Sequence, residues 1–111
     1  MDVDPPHPII DRPHEYSIAD LRYHVGLDGA EPFIDLILQR KDAVRRLRFL
    51  SPRQLIIEDG FPEPTSGMEI LDVSRRQLGD LRVRVGDCEA SHGAITFWAR
   101  DVVDLDTLEA S

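Results

Sequence analysis

The sequence predicts a mainly β protein: an antiparallel β-sandwich or partly open barrel of about seven short strands, with one or two single helical turns. Three observations carry that expectation. Apolar and polar residues alternate with a period of two in several separate segments, the signature of half-buried strands. Breakers containing Gly, Pro, Ser or Asp separate those segments at spacings near ten residues. The strand–helix–strand alternation of a parallel sheet is absent.

Taken in order, residues 1–16 hold Pro5, Pro6, Pro8 and Pro13 and read as an extended acidic arm, with Ile9 and Ile10 placed to pin it to the body. Leu21, Tyr23, Val25 and Leu27 alternate with Arg22, His24 and Gly26 and predict a strand. A helix from Ser17 competes, since Ser17 and Asp20 have capping-box spacing, but four alternating positions outweigh three helical ones. After a turn at 28–32 comes a second strand, Phe33 to Arg40, with Ile34, Leu36 and Leu38 on one face, and the pair reads as a hairpin. Val44 to Leu50 then sets Leu47 and Phe49 opposite Arg46 and Arg48. Ser51-Pro52 has the form of an N-cap followed by proline and predicts at most one helical turn. Leu55-Ile56-Ile57 reads as a short strand covered on both faces. Residues 60–67 form the longest breaker-rich segment and predict a loop.

Met68 to Val73 is a further strand, and residues 74–79 read as one helical turn closed by Gly79. Leu81, Val83 and Val85, alternating with Arg82 and Arg84, form the clearest strand. Ile95, Phe97 and Ala99 alternate with Thr96, Trp98 and Arg100, and Val102, Val103 and Leu105 extend or follow them. The expected organisation is an arm over 1–16, one β domain over 17–105 and an acidic tail over 106–111. A chain of 111 residues has the size of one ordinary domain.

The net charge of −8 is unevenly placed. Residues 1–39 contribute −6, residues 40–100 contribute +2 and residues 101–111 contribute −4, so acidity sits at the two ends. Affinity for phosphate backbones needs clustered positive charge, which makes nucleic acid an unlikely default partner, and anionic membrane surfaces are disfavoured for the same reason. No apolar stretch approaches the length that spans a bilayer. One cysteine excludes an intramolecular disulfide, and the acidic start lacks the apolar core of a signal peptide, so the cytoplasm is the expected compartment.

Each candidate for chemistry has a plainer reading. Cys88 and His92 lie four apart, but Asp87 and Glu89 would raise the thiol pKa, and no orienting group is evident. His7, His14 and His24 share no ligand spacing. Glu58-Asp59 solubilise a strand end more simply than they serve acid–base work. No catalytic residue, metal or cofactor is therefore expected. The candidate contact surface comprises Phe61, Trp98, Arg46, Arg48, Arg82 and Arg84. Phe61 would be an anchor if exposed, and Trp98 falls on the nominally polar face of its strand. Arg46/Arg48 and Arg82/Arg84 form short positive ladders, because residues two apart project from one face. These ladders serve either as an anion or RNA surface or as partners for Asp35, Glu69, Asp72 and the acidic tail, and cross-strand pairing is the favoured outcome.

The succession Leu47-Arg48-Phe49, Leu55-Ile56-Ile57, Ile70-Leu71-Asp72-Val73, Leu81-Arg82-Val83-Arg84-Val85 and Ile95-Thr96-Phe97-Trp98-Ala99 resembles that of small bacterial β-sheet proteins of unassigned role, toxin-immunity proteins among them. That resemblance implies a non-catalytic acidic domain that blocks a toxin by contact. The expected function is protein–protein contact, with another protein or with a second copy of the chain as partner.

Overall fold

Ile34, Leu36 and Leu38 are fully buried, and Asp35, Ile37 and Gln39 between them point the other way, so the alternation in the sequence becomes a two-faced ribbon. A computed structural model of the chain describes residues 4–59, 68–77, 79–87 and 95–106. Its strands are β1 (Ser17–His24), β2 (Phe33–Arg40), β3 (Ala43–Leu50), β4 (Arg53–Ile57), β5 (Met68–Asp72), β6 (Val83–Asp87), β7 (Ile95–Ala99) and β8 (Asp101–Asp104). They pair antiparallel in two four-stranded sheets, one in the order β1-β2-β3-β8 and the other β4-β7-β6-β5, and the sheets do not close into a barrel. Two 3-10 turns, Pro13–Glu15 and Ser74–Arg76, complete the regular structure of the described residues. The expected mainly β antiparallel fold is the one observed, with eight strands in place of seven because residues 101–104 pair separately with β3.

β2 and β3 join through Lys41-Asp42, with Arg40 facing Ala43. Lys41 adopts φ 51°, the left-handed value that a two-residue hairpin loop needs at its first position to match the strand twist. Between the sheets, the inward residues of β2, β3, β6 and β7 form one core. Phe49 of β3 and Phe97 of β7 meet edge to face across it, with ring centroids 5.1 Å apart at 88°.

β3 passes into β4 and β7 into β8 at one corner, and the two chains stay paired through it. Leu50 faces Asp101 on one side, and Arg53 faces Trp98 on the other. Ser51 does not cap a helical turn. It bends the chain with φ 49°, donates its N–H to the Pro32 carbonyl and gives its hydroxyl to Glu31.

Two further expectations are corrected. The first strand covers Ser17–His24, and Val25 and Leu27 are 65% and 68% exposed beyond its end. Gly26 stops it at φ 74°, where a Cβ would collide with the Ala30 carbonyl. Ile18 takes the inward place instead, with a bulge between Ile18 and Asp20 restoring the register. β4 is not covered on both faces: it lies at a sheet edge, with Ile56 54% and Ile57 45% exposed.

The proline-rich segment is built into both sheets. Pro6 bridges Leu71 of β5, the His7 N–H donates to the Ile70 carbonyl at 2.8 Å, and the Asp72 N–H donates to the Pro5 carbonyl at 2.9 Å. Asp4 pairs with Arg76. Ile10 is buried in the core, and the Ile9 carbonyl accepts a 2.6 Å hydrogen bond from Arg45 of β3, which also holds Asp104 of β8 at 2.7 Å. Residues 4–10 thus link β5 of one sheet to β3 and β8 of the other.

Phe97→Ala is expected to cost about 3–5 kcal/mol in urea unfolding. A double-mutant cycle with Phe49→Leu and Phe97→Leu should return a coupling of about 0.5–1.5 kcal/mol for the ring pair. Ile10→Ala should cost about 2–5 kcal/mol, as any buried aliphatic truncation does. A loss of a few tenths would mean that the arm folds independently of the body.

Candidate contact surface

The outward faces of the two sheets hold the sequence-predicted arginines and Trp98. On the β4-β7-β6-β5 sheet, register places Leu71, Arg84, Trp98 and Arg53 side by side in one row. The Arg84 guanidinium lies 5.4 Å from the centre of the Trp98 ring, a cation–π distance. It reaches Glu69 at 3.9 Å and folds over Gly86, where an added Cβ would come within 3.1 Å of its terminal nitrogen. Ile56, facing Thr96, lies on the same side as Trp98.

Arg53 and Ile56 were not legible as members of this face. Residues three apart in a regular strand project to opposite sides. Here Gln54, at φ 55°, makes a bulge that adds one residue and brings both to the outer face. A polar residue with a positive φ has no distinctive signal in a sequence, whereas the alternation of Ile95, Phe97 and Ala99 already placed Trp98 outward.

The other outer face is neutralised. Arg48 binds Asp35 through two hydrogen bonds of 2.8 and 3.1 Å, and its guanidinium lies 3.9 Å from the Phe33 ring centre. His24 stacks on the same ring at 4.7 Å and 4°. Arg46 pairs with Asp106 of the acidic end at 2.7 Å. Arg82 lies one residue before β6 and is exposed, and among the described residues it makes no ion pair. Asp72 does not join the ladders. It accepts hydrogen bonds from the Ser74 hydroxyl at 2.6 Å and the Ser74 N–H at 3.0 Å, and these hold its carboxyl below the usual carboxylate range.

Phe61, Cys88, Glu89 and His92 lie outside the described residues. Glu58 and Asp59 are exposed just past β4, and His14 is exposed in the arm. His7 lines a cavity of about 460 Å³ between the arm and β5, with Pro6, Ile10, Met68, Ile70 and Leu71. Burial lowers its pKa against the pull of Asp72 and Asp101, and its Nδ1 accepts the Ile9 N–H at 3.1 Å. Among the described residues no group of three or more His, Cys, Asp or Glu is placed to hold a metal, and no helix is long and apolar enough to cross a membrane.

A third cluster escaped the sequence reading. Glu31, in the loop before β2, accepts from the Arg100 guanidinium at 2.7 and 2.9 Å and from the Ser51 hydroxyl at 2.5 Å. It ties that loop to both chains of the corner. Ser51 and Arg100 lie 20 and 69 residues from Glu31 in the chain, so no local pattern announces the cluster.

No family model, no curated protein and no solved structure matches the chain. The resemblance to immunity-type proteins therefore rests on the strand rhythm alone.

The hydrogen bonds from Arg100 and Ser51 hold the Glu31 carboxyl at about 2, below its ordinary 4.5. A carboxyl depressed in the folded state stabilises the fold above its unfolded pKa, and that contribution is lost as the pH falls through the folded value. Glu31→Gln should therefore lower Tm at pH 7 and match the parent near pH 2, so that its Tm falls less between pH 5 and 2. Parallel acid profiles for the two proteins would show that the corner contacts add nothing.

Proposed function

We propose that this domain works by contact with another protein, through the outer face of β4, β7 and β6 centred on Trp98. The observation that carries the reading is the composition of one row on that face. A tryptophan carries an arginine against its ring and has a second arginine directly across from it, with Leu71 and Ile56 beside them. Trp and Arg are the residues that dominate binding energy at protein interfaces, because each combines a large contact area with a directional polar group. Trp98 and Arg84 are only partly exposed and lie against each other, so little of their side-chain freedom remains to be lost on docking, while Arg53 is exposed.

An RNA or anion surface has less support. Arg46, Arg48 and Arg84 each pair with a carboxylate, which leaves Arg82 as the one ladder arginine without an ion pair among the described residues. The net charge of −8 opposes approach to phosphate backbones and favours a basic protein as the partner at long range. A basic toxin domain is one partner of that kind, which connects this reading with the immunity-type resemblance.

The test is co-purification of a basic protein in stoichiometric amount from the source cells, followed by titration with variants. Trp98→Ala should weaken binding about 30-fold, the ~2 kcal/mol of a dominant interface residue. Arg75→Ala, on the exposed 3-10 turn, should leave it unchanged. Equal affinity for the Trp98→Ala protein, or a mobility shift with RNA at low salt that Trp98→Ala abolishes, would overturn the reading.

A further inference from the structure

We infer that the outer edge of β1 seats a second copy of this chain, β1 pairing antiparallel with β1 about a two-fold axis at Leu21. The two four-stranded sheets have four edges, and the fold treats them differently. The β5 edge is occupied by the arm, whose prolines cannot donate to a further strand. β8 offers only four residues, bounded by Asp101 and Asp104. β4 is interrupted by the left-handed Gln54. β1 is eight residues long, its one bulge lies between Ile18 and Asp20 near the start, and Asp20–His24 beyond it is an unbroken run with β2 as its only paired strand among the described residues. An edge of that length presents a row of unpaired backbone groups, and an identical edge is a ready partner.

Charge chooses the occupant and the register. Across the outer face, Arg48 binds Asp35, and Asp35 faces Arg22 of β1. The row reads plus, minus, plus and stops at the sheet edge. The Arg22 side chain is 80% exposed there, with Asp20 of its own strand 3.9 Å away. A two-fold axis perpendicular to the sheet keeps outward residues opposite outward ones only when it passes through a residue, not between two. An axis at Arg22 would set two guanidiniums against each other, and one at Asp20 two carboxylates. An axis at Tyr23 would set Arg22 against His24 and leave Asp20 opposite Gly26. Only the axis at Leu21 places Asp20 of each copy opposite Arg22 of the other, continuing the alternation of charge across the junction. β1 belongs to the sheet opposite the Trp98 row, so this contact and the proposed function involve separate faces.

Sedimentation equilibrium of the full chain tests it. The expected mass is twice the 12.6 kDa of the chain, falling to the monomer on dilution. Arg22→Asp and Asp20→Arg should each weaken the dimer at least about tenfold, because like charges then stand directly opposite. The double variant Asp20→Arg with Arg22→Asp restores both pairs and should return the dissociation constant to within about threefold of the parent, since the pair term alone is exchanged. In a Cys88→Ser background, Leu21→Cys should oxidise to a covalent dimer, as directly opposed strand residues lie at about disulfide distance. His24→Cys should not. A parent chain that stays monomeric into the millimolar range, single reversals without effect, a double variant as weak as the singles, or cross-linking through His24→Cys would each overturn the inference.

Discussion

The edge-to-face meeting of Phe49 and Phe97 lies at the centre of the core that the two sheets share. Each ring is the largest fully buried side chain of its sheet among the described residues, and each sits on the strand from which the chain passes into the other sheet at the corner. The β3–β4 chain and the β7–β8 chain remain in antiparallel register through that corner. The bend leaves polar groups at its outside that must be satisfied. Ser51 and Arg100 occupy those positions, and Glu31 accepts from both. An apolar contact inside and a charge-assisted network outside thus define the same turn of the chain.

Arginine serves here mainly to match carboxylates across the sheets. A guanidinium presents a planar fork that one carboxylate can fill, which suits it to narrow spaces between neighbouring strands. Arg48 with Asp35 and Arg100 with Glu31 both use that geometry, and Arg45 joins Asp104 to the Ile9 carbonyl. The acidic end of the chain is drawn in by the same logic, since Asp106 meets Arg46. The separation of an acidic start, a basic middle and an acidic end in the sequence therefore becomes a set of contacts in which the ends fold back on the middle. Trp98 and Arg84 depart from this pattern, because the guanidinium is shared between a ring and a more distant Glu69.

The fold was legible wherever alternation was regular. The inward residues of β2, β3, β6 and β7 are those that the period of two assigns, and the pairing of Arg48 with Asp35 and of Arg84 with Glu69 follows from residue type once the faces are known. Legibility failed at bulges and edges. Ile18 and Arg53 each sit beside a bulge, and one extra residue reverses the face that a pattern assigns to everything beyond it. Val25 and Ile56 read as core residues because the sequence records how apolar a side chain is, not how much of the opposing sheet lies over it. The Glu31 cluster was invisible for a different reason, being assembled from three distant loops by the corner itself.

The arm shows why a proline-rich, acidic segment need not be ornamental. Between the end of β5 and the strands β3 and β8 the two sheets have no shared strand to close the core. Residues 4–10 close that side with Ile10 buried, one carbonyl accepting from Arg45 and two backbone hydrogen bonds to β5. Proline suits this position on two counts. Its fixed φ lowers the entropy lost on laying the segment down, and its missing N–H leaves the new edge unable to recruit another strand at that residue. His7 is half-buried against β5, where burial lowers its pKa and its Nδ1 accepts the Ile9 N–H. Closing the core and blocking one edge are a single structural act.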